Sequence, residues 1–336
     1  MEPFKLYWDR VNFWTGLKFL IVMAALNVLS FWIEFPWYLV GTSVVLTWMV
    51  VLLGNPKNKI LMVLLYLVSG TVVTLINNYF FDTYWPWLIS VFVVTFLGTY
   101  LLKYGADWYM LGWCTILWFY ILPVMAQMGN PQELVVSHLL GSGAVLVLVV
   151  MTVLWKRSRK KLPEEIVEEE PAETAPMPNW WIMSYSIIVA VVMVFGLMVG
   201  HKYLTDPTMI SNAAFMIIVQ TGSVVIWKAG IERMIGAILA IVLGFYLGVL
   251  VNSPTLGNVI MVIFYFLLMV FLLVNNGLVV FFFLLTISYG WGLMDYETGN
   301  ALANERILAE FAGVILAGIA IFLLNLTGKF FKAAKE

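Results

Sequence analysis

Arg306 and Glu310 stand four residues apart in "NERILAEFAGVIL", residues 304–316, at the head of an apolar stretch that runs almost to the end of the chain. That spacing puts both side chains on one helical face, where a guanidinium and a carboxylate can pair. Glu305 and Glu310 at a helix start also suit the positive end of its dipole. Ionisable groups inside apolar spans are costly and face a cavity or one another. Two chemistries follow: an ion pair that fixes the depth of a helix end, or an arginine that attracts a carboxylate ligand beside a glutamate that titrates. Shifted by 172 residues, His138 falls on Glu310, and imidazole is the side chain that titrates nearest neutral pH. Either group could carry a proton inward; the alternative for His138 is a hydrogen-bonded packing residue.

A second set of charges begins other apolar runs. Glu232 and Arg233 open the ninth and Lys59 opens the third. They read either as topology and headgroup contacts or as an inner vestibule that collects anions, because the planar fork of Arg matches a carboxylate. Asn78, Asn252 and Gln220, with Asn27, Asn77, Thr221 and Asn275, are candidates for lining a pathway or for hydrogen bonds between helices. No phosphate-cradling GxxxxGK[ST], HExxH or Gly-x-Ser-x-Gly pattern occurs, so neither ATP-driven transport within this chain nor hydrolysis has a motif behind it. No enzyme, no cofactor and no metal site is expected. The single Cys114 excludes an intramolecular disulfide and a thiolate cluster.

The elements that must position these groups follow from composition. The chain is 62% hydrophobic and 11% charged, against roughly 25% charged in a soluble domain, so an all-α integral membrane protein is expected. Runs of roughly 17–25 apolar residues, the length that crosses the hydrocarbon layer as a helix, number about twelve. They lie near 12–33, 37–53, 60–77, 85–102, 108–125, 134–155, 181–200, 209–227, 234–251, 258–274, 278–294 and 307–327. The first is too long for a removable signal peptide and reads as an anchor. Aromatic clusters such as "DTYWPWL" and "NWWIMSY" suit the membrane interfaces.

Of the 18 Lys and Arg, all but Lys18, Lys202 and Arg306 fall on one side of that alternation. The positive-inside bias therefore puts both termini in the cytoplasm, of a cell (inner) membrane. A net charge of -1 with the cations in short loops gives no basis for a nucleic-acid partner. Residues 156–179, within "KRSRKKLPEEIVEEEPAETAPMPN", cannot bury a core and read as a disordered cytoplasmic linker whose basic block can meet anionic lipid. It divides a first six-helix repeat, 1–155, from a second, 180–336. An offset of 174 matches Lys59 with Arg233, Gly70 with Gly244 and Asn78 with Asn252, and an offset of 172 matches Gly105 with Gly277 and Gly141 with Gly313. Six spans in each half imply parallel repeats about an axis along the membrane normal, with substrate near their interface.

Two segments, "ERMIGAILAIVLG" and "ERILAEFAGVILAGIA", each follow Glu-Arg with small residues at spacings that let helices approach closely. On these segments the chain resembles the fusaric acid resistance family, also called aromatic acid exporters, over about 180–330. The first half carries weaker versions, with Lys59 in place of one Arg and Leu134 in place of the other. The resemblance implies efflux of small organic acids, aromatic ones among them, by a membrane-only relative, and a periplasmic adaptor among its partners. Together these readings predict a secondary exporter of small organic anions coupled to protons, in contact with membrane lipids and compatible with a homo-oligomer. The alternatives are an uncoupled anion channel, a major-facilitator-like carrier and a non-transporting subunit of an efflux assembly.

Overall fold

In a computed structural model of the chain, residues 8–29, 37–54, 56, 58–126, 130–159, 178–220, 226–251 and 253–333 are described. Among them every regular element is helical. The helices are α1 (Phe13–Leu29), α2 (Trp37–Leu53), α3 (Lys59–Phe80), α4 (Tyr84–Tyr100), α5 (Ala106–Ala126), α6 (Pro131–Arg159), α7 (Asn179–Tyr203), α8 (Thr208–Gln220), α9 (Ile226–Val251), α10 (Pro254–Phe271), α11 (Asn276–Gly292) and α12 (Tyr296–Ala333). Each expected span overlaps one of them over its described residues. Most of the linker, 160–177, lies outside the described residues.

Local chemistry sets the helix starts. Asn58 caps α3 by accepting from Leu61 N at 3.1 Å. Asn130 and Glu133 form a reciprocal capping box at α6, with Glu133 N donating to Asn130 Oδ1 at 3.0 Å and Asn130 N to Glu133 Oε2 at 3.1 Å. Asp295 accepts from Thr298 N at 2.9 Å where α12 begins. Gly105, at φ +115°, makes the left-handed turn before α5 that a side chain would resist.

Among the described residues seven helices are long and apolar enough to cross a membrane: α3, α4 with its 3-10 extension Leu101–Tyr104, α5, α6, α7, α9 and α12. Leu39–Leu53, Thr208–Ile218, Leu256–Phe271 and Gly277–Gly292 are apolar but shorter. Of the about twelve expected spans, seven meet that criterion over their described residues. α2 and α8 lie in the interior: α2 is buried from Leu39 to Val51 and α8 from Thr208 to Ile218. α5 is buried from Leu111 to Met125. A helix that is apolar all round suits such a position. Around them α3, α4, α6, α7, α9 and α12 leave Val68, Val93, Val147, Val191, Leu239 and Ile315 exposed, as lipid-facing helices do.

Helix pairing recurs along the chain. Within α1–α6, α2 and α3 pack on α6, and α5 packs on α3 and α4. Within α7–α12, α8 and α9 pack on α12, and α11 packs on α9 and α10. Between the two sets the contacts also come in matched pairs, α1 with α10 and α4 with α7, then α2 with α11 and α5 with α8. At one end of the bundle the hydroxyls of Tyr109 and Tyr185 meet at 2.9 Å, and Asn12 N donates to Val270 O at 3.1 Å. At the other end the rings of Tyr84 and His201 lie 4.8 Å apart.

Candidate functional site

Helix boundaries move the charges inward. The sequence places Arg306 and Arg233 at span starts, yet α12 begins at Tyr296 and α9 at Ile226. Arg306 is therefore about three turns into its helix and Arg233 about two. The dipole of α12, which acts within the first turn, does not account for Glu310.

Glu310 is held by two cations. Arg306 Nη2 donates to Glu310 Oε1 at 2.7 Å, the expected pair across one helical turn. Arg233 reaches the same carboxylate from α9, with Nε 3.3 Å from Oε2 and Nη2 3.5 Å from Oε1. Sequence reading separates the arginines onto opposite faces of the membrane, one at an outer mouth and one in an inner vestibule; the structure joins them. The cause is the antiparallel contact of α9 and α12, where Gly230 lies against Val314 three to four residues from the pair. Close packing on either side keeps this register. A Cβ on Gly313 would lie 2.4 Å from that of Ala213 in α8, and one on Gly236 would lie 2.9 Å from the carbonyl oxygen of Gly277 in α11.

The three side chains are shut away from solvent: Glu310 is 0% exposed and each arginine 3%. Two guanidiniums on one carboxylate leave a formal charge of about +1 in a place where each unpaired charge is costly. Arg306 Nη1 also donates to Met209 O at 3.4 Å, in the first turn of α8. Arg233 Nη1 and Arg306 Nε have no hydrogen-bond partner among the described residues.

A fourth charge beside the cluster was not legible as a candidate. Asp206 lies in the turn between α7 and α8 and is wholly buried. Its Oδ1 accepts from Thr208 N at 2.8 Å and Thr208 Oγ1 at 2.7 Å, while Oδ2 has no partner among the described residues. Burial pushes its pKa up to about 6, against the downward pull of the Thr208 bonds and of the Arg306 charge, with Glu305 adding a small upward push. Glu305 fastens α12 to this turn, accepting from Thr205 N and Thr205 Oγ1 at 2.7 Å each. The available signal was Asp followed two residues later by Thr at a helix start, a side-chain turn and cap pattern.

His138 sits in a different setting. It is 0% exposed, with Nδ1 3.3 Å from Ser43 Oγ and Nε2 3.3 Å from Leu67 O. Ser43, Ser142 and Thr47 continue a hydroxyl chain at 3.1 and 3.0 Å, and the rings of Trp118 and Tyr66 lie 5.0 and 5.4 Å away. The α3 residue beneath the imidazole is Gly70.

The remaining candidates are dispersed. Lys59 is exposed at the start of α3, where the offset of 174 makes it the counterpart of Arg233, and it does not reach His138. Asn78 is half-buried and donates from Nδ2 to Pro131 O at 3.0 Å, tying α3 to α6. Glu232 is half-buried and lies against Gly277 of α11. Asn275 caps α11 through Leu278 N at 3.2 Å. Asn252, Thr221 and the side chain of Gln220 lie outside the described residues. Where α2, α5, α8, α10 and α11 meet, Leu46, Leu117, Met216, Leu268 and Phe283 close the contact to a void of about 10 Å³.

Residues 187–322, which hold Asp206, Arg233, Arg306 and Glu310, match the family model described as fusaric acid resistance protein-like. This is the family that the two Glu-Arg segments resemble. No curated protein and no solved structure matches the chain.

Proposed function

We propose, from a second half that matches the fusaric acid resistance protein-like family and a buried arginine pair inside that match, that this chain is a multi-pass secondary exporter of small organic anions, aromatic acids among them. The observation that carries the reading is the shared carboxylate: Arg233 and Arg306 meet on Glu310, so these three side chains together carry a net positive charge away from water. Such a charge attracts a carboxylate, and the two unpartnered guanidinium nitrogens are donors suited to it.

The architecture we propose is two parallel six-helix repeats, 1–155 and 180–336, joined by a cytoplasmic linker and crossing the inner membrane twelve times with both termini inside. The recurrence of helix pairs in α1–α6 and α7–α12 supports the repeat, and the bias of Lys and Arg supports the orientation. The void of about 10 Å³ between the halves holds at most a water, so the proposed cycle opens this contact by relative motion of the two halves. Protons are the proposed coupling ion. Glu310 serves the arginines as counter-ion, and His138 is held among hydroxyls and rings, so neither is set apart as a free carrier.

Counterflow of radiolabelled benzoate in proteoliposomes tests the reading, with wild type compared against Arg233→Gln and Arg306→Gln. Wild type is expected to exchange benzoate and each variant to lose most of that exchange. Equal exchange by all three would make the arginines structural and sink the proposal.

A further inference from the structure

We infer that Asp206 is the proton-binding group of this anion site: ionised, its charge offsets that of the arginine pair, and on taking a proton it leaves that charge to an incoming organic anion. The inference rests on the anion reading above and adds to it the residue that couples proton to ligand.

The geometry converges on one helical turn. Met209 N donates to Asp206 O at 3.4 Å, and Met209 O accepts from Arg306 Nη1 at 3.4 Å. Carboxylate and guanidinium thus flank the first turn of α8, each buried and each with an atom that lacks a partner among the described residues, Asp206 Oδ2 and Arg306 Nε. An open acceptor and an open donor in a dry place are expensive to leave unmade, unless the site exists to be completed by a ligand. A proton completes Oδ2, and an anion completes Nε.

The other groups around Asp206 narrow the assignment. From α12 come Arg306 and Glu305, and the Glu305 carboxylate is engaged by Thr205. From α9 comes Arg233, linked through Glu310. α5 presents Tyr120, whose carbonyl accepts from Thr208 Oγ1 at 3.1 Å and whose hydroxyl meets Thr95 Oγ1 at 2.7 Å. The last turn of α7 carries His201 and Lys202, both exposed. With Asp206 ionised, two carboxylates balance two arginines. With Asp206 protonated, the cluster carries one positive charge, and a carboxylate ligand restores neutrality. Proton and anion therefore favour each other's binding at this site. Burial that holds Asp206 near pKa 6 puts the exchange within reach of ordinary pH.

The test is binding of benzoate to the full chain in lipid nanodiscs, from about pH 5 to about pH 8, for wild type, Asp206→Asn and Thr208→Ala. Wild-type affinity should fall by up to about tenfold per pH unit above the Asp206 titration. Asp206→Asn, permanently neutral, should bind tightly with no pH dependence in this range. Thr208→Ala removes a hydrogen bond to the ionised form and should move the midpoint upward; with the wild-type profile it serves if Asp206→Asn does not fold. Wild type that binds equally at both ends of the range overturns the role of Asp206 and leaves the anion site standing. A pH dependence that survives in Asp206→Asn assigns it to another group and overturns the role of Asp206. Absence of binding by wild type near pH 5 and by Asp206→Asn throughout overturns the anion site itself, which benzoate counterflow reports independently.

Discussion

The imidazole of His138 occupies the space that a side chain on Gly70 would need. A Cβ on Gly70 would lie 2.2 Å from the ring carbon Cε1 and 2.3 Å from Nε2. His138 is packed on all sides by Ser43, Tyr66 and Trp118 as well, so it has nowhere to retreat. Gly70→Ala is therefore expected to lower stability by about 1–3 kcal/mol, the usual cost of overpacking a filled interior. Gly143, one turn and a residue further along α6, meets nothing within 4 Å, and Gly143→Ala should be neutral or stabilising by up to about 1 kcal/mol. Thermal unfolding of both variants in detergent checks the contrast; equal melting temperatures would show that the α3–α6 contact is looser than this.

Stability should also fall as pH rises through the Asp206 titration. Its native pKa of about 6 lies above the ordinary 3.8, so the native state binds more protons than the unfolded state between those values. Each pH unit in that window removes up to about 1.4 kcal/mol, roughly 3 kcal/mol in all, and the loss is complete above the native pKa. Below the ordinary value the contribution is whole. Asp206→Asn should flatten this part of the curve, as read by denaturant unfolding at several pH values. A slope unchanged by the substitution would place the titration elsewhere.

The glycine seam between α9 and α11 gives a third expectation. A Cβ on Gly248 would lie 2.4 Å from the carbonyl oxygen of Tyr289, and one on Gly292 2.2 Å from that of Phe245. Backbone cannot yield as a flexible side chain can. Gly248→Leu should force the helices apart and abolish the native melting transition, whereas Leu247→Ala, on an exposed face of the same helix, should shift it little. Cysteine pairs across the seam that cross-link as readily in Gly248→Leu as in wild type would contradict the close approach.

Helices were legible because apolar runs, together with caps such as Asn58 and the Asn130–Glu133 box, mark them locally. The pairing of Arg233 with Glu310 was not, because it depends on the register of two helices far apart in sequence, set by Gly230 against Val314 and Gly313 against Ala213. An offset of 174 puts Lys59 on Arg233, and which α3 residue meets His138, namely Gly70, is likewise a matter of helix register. Asp206 escaped notice for a different reason. A carboxylate beside a proline in a short turn is ordinarily solvated, and only the packing of α5, α7 and α12 around that turn buries it.

The arginine pair makes the sharpest demand on Glu310. Removing the carboxylate alone, as in Glu310→Ala, leaves two buried guanidiniums facing each other and should cost about 3–5 kcal/mol, the usual penalty for an orphaned buried charge. Arg306→Ala leaves Glu310 paired with Arg233 and should cost less. Replacing all three residues by methionine removes both guanidiniums and their shared carboxylate together with their desolvation and leaves Asp206 in place, so at a pH below the Asp206 titration stability should return towards that of wild type while benzoate exchange is lost. Unfolding of the single variants and the triple variant, with counterflow on those that fold, separates a cluster kept for function from one kept for stability. A triple variant less stable than Glu310→Ala would mean that the charges hold α9 and α12 together, and the organic-anion role would lose its support.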